Sequence, residues 1–165
     1  MTLATTDPDG APSARTVLLK EVDTGFVFFT HHDSRKGQAM AAHPRAALVF
    51  LWKPLERQVC IAGDVTPLPR AHSEAYFAQR PRESQLGAWA SDQSQPVADR
   101  ATLDARLEAA RTRFAEGVVP CPPRWSGFRL LPGRIEFWQG RVGRLHDRLQ
   151  YRRAGDVWTL DRLGP

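Results

Sequence analysis

Three basic side chains near the C-terminus, Arg144, His146 and Arg148, stand two residues apart. On an extended chain this spacing turns all three to one face and sends Leu145 and Leu149 the other way, into a core. An imidazole set between two permanent cations can hold an anion or move a proton near neutral pH. Like charges on one strand face repel unless something anionic sits among them. A solvated basic edge strand has the same pattern, and the residues alone support the two readings equally. The stretch before them, Ile135 to Gly140, reads as an aromatic strand that breaks at Gly140 and Gly143.

A second constellation is Ser34-Arg35-Lys36. Ser34 is a good N-cap, the residues from Arg35 to Ala42 favour helix apart from Gly37, and Pro44 ends the run. A helix N-terminus offers unpaired N–H groups and a positive dipole end; a hydroxyl and two cations complete the recipe for a phosphate site. For the tripeptide alone, a capped surface helix with two solvated cations is the simpler reading. Its place directly after a strand favours phosphate. His31 and His32 are adjacent, face different ways and make no metal site.

The elements that must position these groups belong to a chain of 165 residues, 42% apolar and 25% charged, which fits one domain with one core. No apolar run approaches the ~20 residues of a membrane span, and no signal-peptide pattern opens the chain. Cys60 and Cys121 lie far apart without a CxxC, so no zinc site or disulfide framework is expected, and a cytoplasmic setting fits. The net charge of +5 favours an anionic partner. Nucleic acid is disfavoured, because the basic residues are scattered and no basic helix appears; small phosphorylated ligands use the same charge in smaller clusters.

In order, the chain reads as strands Met1–Thr6 and Ser13–Lys20 about a turn at Asp7–Gly10, then a strand over Gly25–Thr30. After the capped helix come strands Arg45–Trp52 and Glu56–Ala62, continuing through Val65–Leu68. Ala71–Gln79 and Ser84–Ala90 read as helical, Ser91–Pro96 as a polar loop. Asp99–Glu116 is the clearest helix, with Leu103, Leu107, Ala110 and Phe114 on one face and Gly117 at its end. Strands are expected at Gly127–Leu131, Ile135–Gln139, His146–Arg153 and Val157–Arg162. The composite is a mainly β domain with flanking α-helices.

Several strings, in order and at compatible spacing, resemble the pyridoxamine 5′-phosphate oxidase family. They are Arg15–Lys20, Phe29-Thr30, Ser34–Lys36, Glu56–Val59, Tyr76–Gln85, Gln93-Ser94, Ile135–Gly140, Arg144–Arg148 and Asp161–Pro165. The resemblance covers essentially the whole chain and implies a six-stranded Greek-key FMN-binding split barrel working as a homodimer. It implies oxidation of pyridoxine or pyridoxamine 5′-phosphate by O₂ to pyridoxal 5′-phosphate, with release of hydrogen peroxide.

Residue by residue, the resemblance implies FMN contacts from Arg15, Val17, Lys20, Phe29, Thr30, Arg35, Lys36, Gln58, Trp138 and Arg148, with Gln93 and Ser94 reaching the flavin from the second subunit. It implies a substrate-phosphate set of Lys20, Tyr76, Arg80 and Ser84. Arg144 and His146 are implied as the catalytic pair facing the substrate where hydride leaves. Arg15 and Lys20 differ by five, so a regular strand sets them on opposite faces; either the strand is bulged or the two serve different parts of the ligands. The family leads one to expect a segment ahead of the first strand, and Met1 opens almost directly on it, as in a short or truncated form. Ser126 stands where a second glycine is common. Two other readings stay open: a phenazine-type sibling oxidase on the same barrel, and a non-enzymatic flavin- or pyridoxal-phosphate-binding protein.

Overall fold

A computed structural model describes residues 1–165. Its strands are β1 (Thr2–Thr6), β2 (Pro12–Thr16), β3 (Glu21–Val22), β4 (Phe26–His31), β5 (Arg45–Trp52), β6 (Arg57–Pro67), β7 (Trp125–Gln139), β8 (Asp147–Ala154) and β9 (Val157–Arg162). The helices are α1 (Arg35–Ala42), α2 (Arg70–Ala78), α3 (Arg82–Ala90) and α4 (Arg100–Arg113). The sheet order is β2-β1-β5-β6-β7-β4-β3, with β8 also on β7 and β9 on β8. Nine strands appear where the resemblance implies six; the two-residue β3 and the terminal hairpin β8–β9 raise the count.

The chain packs as two compact units. The first comprises residues 1–28, 39–66 and 129–165. Antiparallel pairing fixes its registers, Leu3 opposite Leu48 and Leu48 opposite Ile61, and those three side chains are fully buried beside Val27, Phe28 and Leu130. The Asp7–Gly10 turn closes by the Gly10 amide on the Asp7 carbonyl, with Gly10 at φ +88° as such a turn requires. The second unit comprises residues 29–38 and 67–128. Phe77, Leu86, Ala88, Ala110, Val119 and Trp125 form its core, joined by Leu107 and Phe114 from the face expected of α4. Asp99 caps α4 by accepting from the Thr102 amide at 2.7 Å.

Three expectations need correction. The strand expected over Ser13–Lys20 ends at Thr16, although alternation of exposure continues: Arg15, Val17 and Leu19 are half-buried while Lys20 is exposed. The two strands expected at Gly127–Leu131 and Ile135–Gln139 are one fifteen-residue strand, β7, which runs through Pro132 and Gly133. Proline and glycine read as a break, yet a Cβ on Gly63 would stand 1.9 Å from the Leu131 carbonyl oxygen, so two backbones press together there and hold β7 in line.

The third concerns Arg144–Arg148. The chain makes a short 3-10 turn at Val142–Arg144 and enters β8 only at Asp147. Arg144, His146 and Arg148 therefore do not share the face of one strand. Leu145 is 72% exposed, outside any core. Gly143 at φ +70° and Arg144 at φ +62° take left-handed conformations that an extended chain cannot accommodate.

Candidate functional site

Two clusters gather the side chains singled out by sequence, one in each unit. In the second unit Ser34 caps α1 as expected, its Oγ accepting from the Gly37 amide at 3.3 Å and donating to the His31 carbonyl at 2.7 Å. Gly37 interrupts a helix-favouring run for a steric reason: a Cβ there would fall 2.2 Å from the His32 carbonyl oxygen. The close approach folds the 31–33 turn against the start of α1.

Lys36 is 9% exposed, and its Nζ donates to Thr30 Oγ1 at 3.2 Å and to Gln93 Oε1 at 3.1 Å. Thr30 Oγ1 donates to the same Gln93 oxygen at 2.7 Å, and the His31 amide does so at 3.4 Å. An ammonium, a hydroxyl and a backbone amide of its own chain thus converge on one oxygen of Gln93, which corrects the expectation that this side chain reaches across from the second subunit. This is the donor set that a phosphate oxygen requires. Arg35 is exposed on the first residue of α1. Ser94 is also exposed, at φ +71°.

The loop carrying Gln93 is held by residues that sequence reasoning missed. Asp92 pairs with Arg124 and, at 3.1 Å, with Arg106, and Arg124 also donates to the Ser91 carbonyl at 3.2 Å. The Arg124 hydrogen bond holds the Asp92 carboxyl below its ordinary range. Nothing local in the sequence signals this clamp, since its parts are far apart along the chain.

An aromatic stack lies in the same unit. Phe29 sits flat between Tyr76, at 4.2 Å between ring centroids, and Trp125, at 4.9 Å. Arg80 lies over the Trp125 ring at 4.9 Å and beside Phe77 at 5.3 Å. Its Nη1 is buried without a hydrogen-bond partner, and burial lowers the guanidinium pKa. Such an atom asks for an anion. The structure thus joins Tyr76 and Arg80 of the expected phosphate set through Trp125. Ser84 is exposed in the first turn of α3, and Lys20 belongs to the first unit.

In the first unit a 580 Å³ cavity opens between β6, β7 and β8, lined by Gln58, Trp138, Trp52, Phe137 and Leu149 with Arg57, Arg141 and Arg162 among its polar groups. Its size and apolar walls suit a flat heterocycle. Trp138 and His146 are neighbours, ring centroids 4.7 Å apart. The Arg141 amide donates to His146 Nδ1 at 3.1 Å, which leaves the neutral imidazole its proton on Nε2. Arg144 is exposed. Arg148 is already engaged: it forks onto Glu136 at 2.8 and 3.1 Å and donates to the Gly164 carbonyl at 3.0 Å. That fork keeps the Glu136 carboxyl below its usual pKa. Arg15 is bound within its own hairpin, to Thr5 Oγ1 at 2.7 Å and Ser13 Oγ at 2.5 Å. Val17 anchors the N-terminus, exchanging hydrogen bonds with Met1.

Much of the positive charge is spent internally, with Arg70, Arg100, Arg111, Arg129, Arg141, Arg152 and Arg162 all paired to carboxylates. No helix is long and apolar enough to cross a membrane, and no cluster of side chains suits a metal ion.

Comparison with known proteins gives a consistent result. A family profile described as pyridoxamine 5′-phosphate oxidase matches residues 1–114, and one described as the pyridoxine 5′-phosphate oxidase C-terminal dimerisation region matches residues 125–165. The pyridoxine/pyridoxamine 5′-phosphate oxidases of Ralstonia pickettii and Thermosynechococcus vestitus are 58% and 59% identical, covering all of this chain and 78% of each of those proteins. Among solved structures, PhzG from Burkholderia lata in complex with tetrahydrophenazine-1-carboxylic acid superposes with a TM-score of 0.93 at 33% identity, over 99% of this chain and 81% of that one. A pyridoxamine 5′-phosphate oxidase-related, FMN-binding protein from Nostoc punctiforme shares the fold, with a TM-score of 0.78 at 17% identity and coverage of 99% and 87%.

Proposed function

This chain belongs to the pyridoxamine 5′-phosphate oxidase family, and from that premise we propose that it oxidises pyridoxamine or pyridoxine 5′-phosphate to pyridoxal 5′-phosphate. FMN is the cofactor and O₂ the final acceptor, reduced to hydrogen peroxide. The observation that carries the reading is the convergence of Lys36, Thr30 and the His31 amide on a single oxygen, the arrangement a phosphate needs. The identity of 58% to a vitamer oxidase, against 33% to PhzG, favours this substrate over a phenazine precursor.

The bound flavin supplies the chemistry of accepting hydride and passing its electrons to O₂. The chain's own residues bind and orient. Lys36 and Thr30, with Phe29 and Arg35, take the cofactor phosphate, and Gln93 gives up its place or turns its amide N–H₂ toward the anion; Arg15, Val17 and Lys20 belong to the segment that lines the flavin, and Ser94 reaches it from the second subunit. Gln58 would hydrogen-bond the flavin, and Trp138 belongs to the same cofactor-binding set. Arg148, held by Glu136, supports this end through its fixed fork. Arg80 offers its unpaired Nη1 to the substrate phosphate, with Tyr76, Ser84 and Lys20. Arg144 would hold the substrate ring, and His146 would hydrogen-bond from Nε2 to the oxygen or nitrogen on the carbon that loses hydride, while the proton shed by that atom leaves to solvent. The protein works as a homodimer with FMN at the interface. Exposed Phe137, Val142, Leu145, Trp158 and Leu160 in the matched dimerisation region supply the apolar surface for it.

The test is spectroscopic. The purified protein is expected to show flavin absorbance that bleaches when pyridoxamine phosphate is added without oxygen and returns, with hydrogen peroxide, when air is admitted. Absence of bound flavin, or flavin that this substrate leaves oxidised, would sink the reading. A dimer is expected by light scattering at micromolar concentration; a monomer binding FMN stoichiometrically would refute the assembly.

A further inference from the structure

His31 is the most confined titratable group in the phosphate cluster. Its side chain is 4% exposed. Its Nδ1 has no hydrogen-bond partner, and neither does the buried Asp33 Oδ1 that stands 4.0 Å away. Both atoms are shielded from water, although the Asp33 side chain as a whole is 46% exposed, and unsatisfied polar atoms so placed are costly unless something joins them. A proton on Nδ1 would join them, with about 1 Å of approach needed for an ordinary charge-assisted hydrogen bond. The same residue is tied into the cluster by its backbone, the amide on Gln93 Oε1 and the carbonyl receiving Ser34 Oγ.

The surrounding charge decides whether that proton is present. Asp33 faces the imidazole from its own turn, Lys36 from α1, Arg80 from the end of α2 and Arg124 from the segment before β7; Asp92, paired with Arg124, is the other carboxylate within range. Three cations outweigh one unpaired carboxylate. Burial first, then Arg124, with Lys36 and Arg80 adding, pushes the imidazole down to about 4 against the upward pull of Asp33. A dianion delivered to Lys36 and Thr30 reverses that local sign.

Taking the Thr30–Lys36–Gln93 cluster as a phosphate site, as above, we propose that His31 is a positioning residue that takes up a proton from solvent onto Nδ1, shared with Asp33, when a dianion binds. Phosphate binding is thereby proton-linked through a residue that touches neither the flavin ring nor the substrate. The protonated imidazole draws the 31–33 turn onto Asp33, and the turn carries the amide that donates to the anion. Anion affinity then rises as pH falls through the bound-state pKa, and the gain stops below the free-state value.

The test uses the full chain and two probes, FMN and inorganic sulfate. Sulfate stays a dianion across the whole range, so it has no titration of its own. FMN affinity is read by quenching of flavin fluorescence from pH 7.5 to 5.0 in wild type, His31→Asn and His31→Gln; the ionisation of FMN cancels in the ratio. The ratio of variant to wild-type Kd is expected to grow about threefold or more across that range, since each unit of pKa rise is worth up to about tenfold. In wild type, the His31 imidazole resonance is expected to titrate at higher pH with saturating sulfate than without it. A ratio that stays flat with pH overturns the proton link, as does a His31 midpoint indifferent to sulfate. Should neither variant fold, the wild-type resonance decides alone. Failure of wild type to bind FMN at all would instead refute the phosphate reading on which the proton link rests.

Discussion

The Thr30–Lys36–Gln93 cluster and the Arg141–Arg148 loop are both basic, yet they are built in opposite ways. The cluster is largely buried, His31 Nδ1 and Asp33 Oδ1 are its only fully buried side-chain polar atoms without a hydrogen bond, and its geometry follows from a helix cap. The loop is exposed, from Arg141 through Leu145, and its Arg144, like Ser94 beside the cluster, takes a left-handed conformation. Only Glu56, Ser94 and Arg144 have positive φ among the non-glycine residues, and two of these three are expected site residues. Strain of this kind persists where surrounding structure enforces it, often at functional sites. The contrast suggests a division of labour, in which the cluster holds a cofactor for the life of the protein and the loop meets a substrate that must come and go.

The largest expected effect separates these roles. Arg144→Leu is expected to keep full flavin content while slowing anaerobic flavin reduction by pyridoxamine phosphate about a hundredfold, the scale of a misplaced reacting group. His146→Ala should slow it less, about tenfold, because it removes one Nε2–H donor. Stopped-flow bleaching at saturating substrate measures both. Wild-type rates in the Arg144 variant would make the loop a solvated edge and end the comparison.

Lys36→Met tests the other side. Losing its charge-assisted hydrogen bonds should weaken FMN by about 1.5–3 kcal/mol, roughly ten- to hundredfold in Kd. The reduction rate at saturating FMN should stay within about threefold of wild type. A variant with unchanged FMN affinity and slow reduction would exchange the two assignments.

Legibility in the sequence followed the same division. The cluster could be read because capping is local: Ser34, the helix after it and the strand before it lie within a few residues. Gln93 was named, but its grip by Arg124 and Arg106 depends on residues brought from elsewhere in the chain. The loop was misread for a related reason. Alternating Arg144, His146 and Arg148 satisfy the period of a strand, but Gly143 and Arg144 take backbone angles that period cannot reveal. Pro132 and Gly133 misled in the other direction, since local punctuation lost to pairing along β7. The Arg148–Glu136 fork was hidden too, because it spans adjacent strands whose register the sequence does not print.

A smaller effect follows from the one imperfectly satisfied spot in the cluster. Without ligand, His31 is held neutral down to about 4, whereas in the unfolded chain it titrates near 6.5. Between those values the unfolded state binds more protons, so the contribution of His31 to stability is whole above pH ~6.5 and falls as pH drops toward 4. The loss should reach about 3 kcal/mol by pH 4 in wild type and be absent in His31→Asn. Urea unfolding at a series of pH values measures the difference; the carboxylates common to both proteins cancel. Parallel profiles would show that His31 does not titrate as its surroundings require.

The finest test concerns the strain in the loop itself. If Arg144 sits at φ +62° because its guanidinium must be presented there, the backbone is bearing a cost that glycine would not. Replacing Arg144 by Leu removes the guanidinium and keeps the cost; replacing it by Gly removes both. Comparing these two variants with each other, at equal protein concentration, therefore isolates the backbone term. The left-handed conformation costs an ordinary residue roughly 1–2 kcal/mol, of which the greater freedom of unfolded glycine returns about half. Arg144→Gly should then be more stable than Arg144→Leu by about 1 kcal/mol, or about 2–4 °C in Tm for a chain of this size. Both should be equally slow in flavin reduction, because neither has the guanidinium proposed to hold the substrate. Equal melting temperatures would mean that the turn is relaxed and that the loop resembles the cluster more than its geometry indicates.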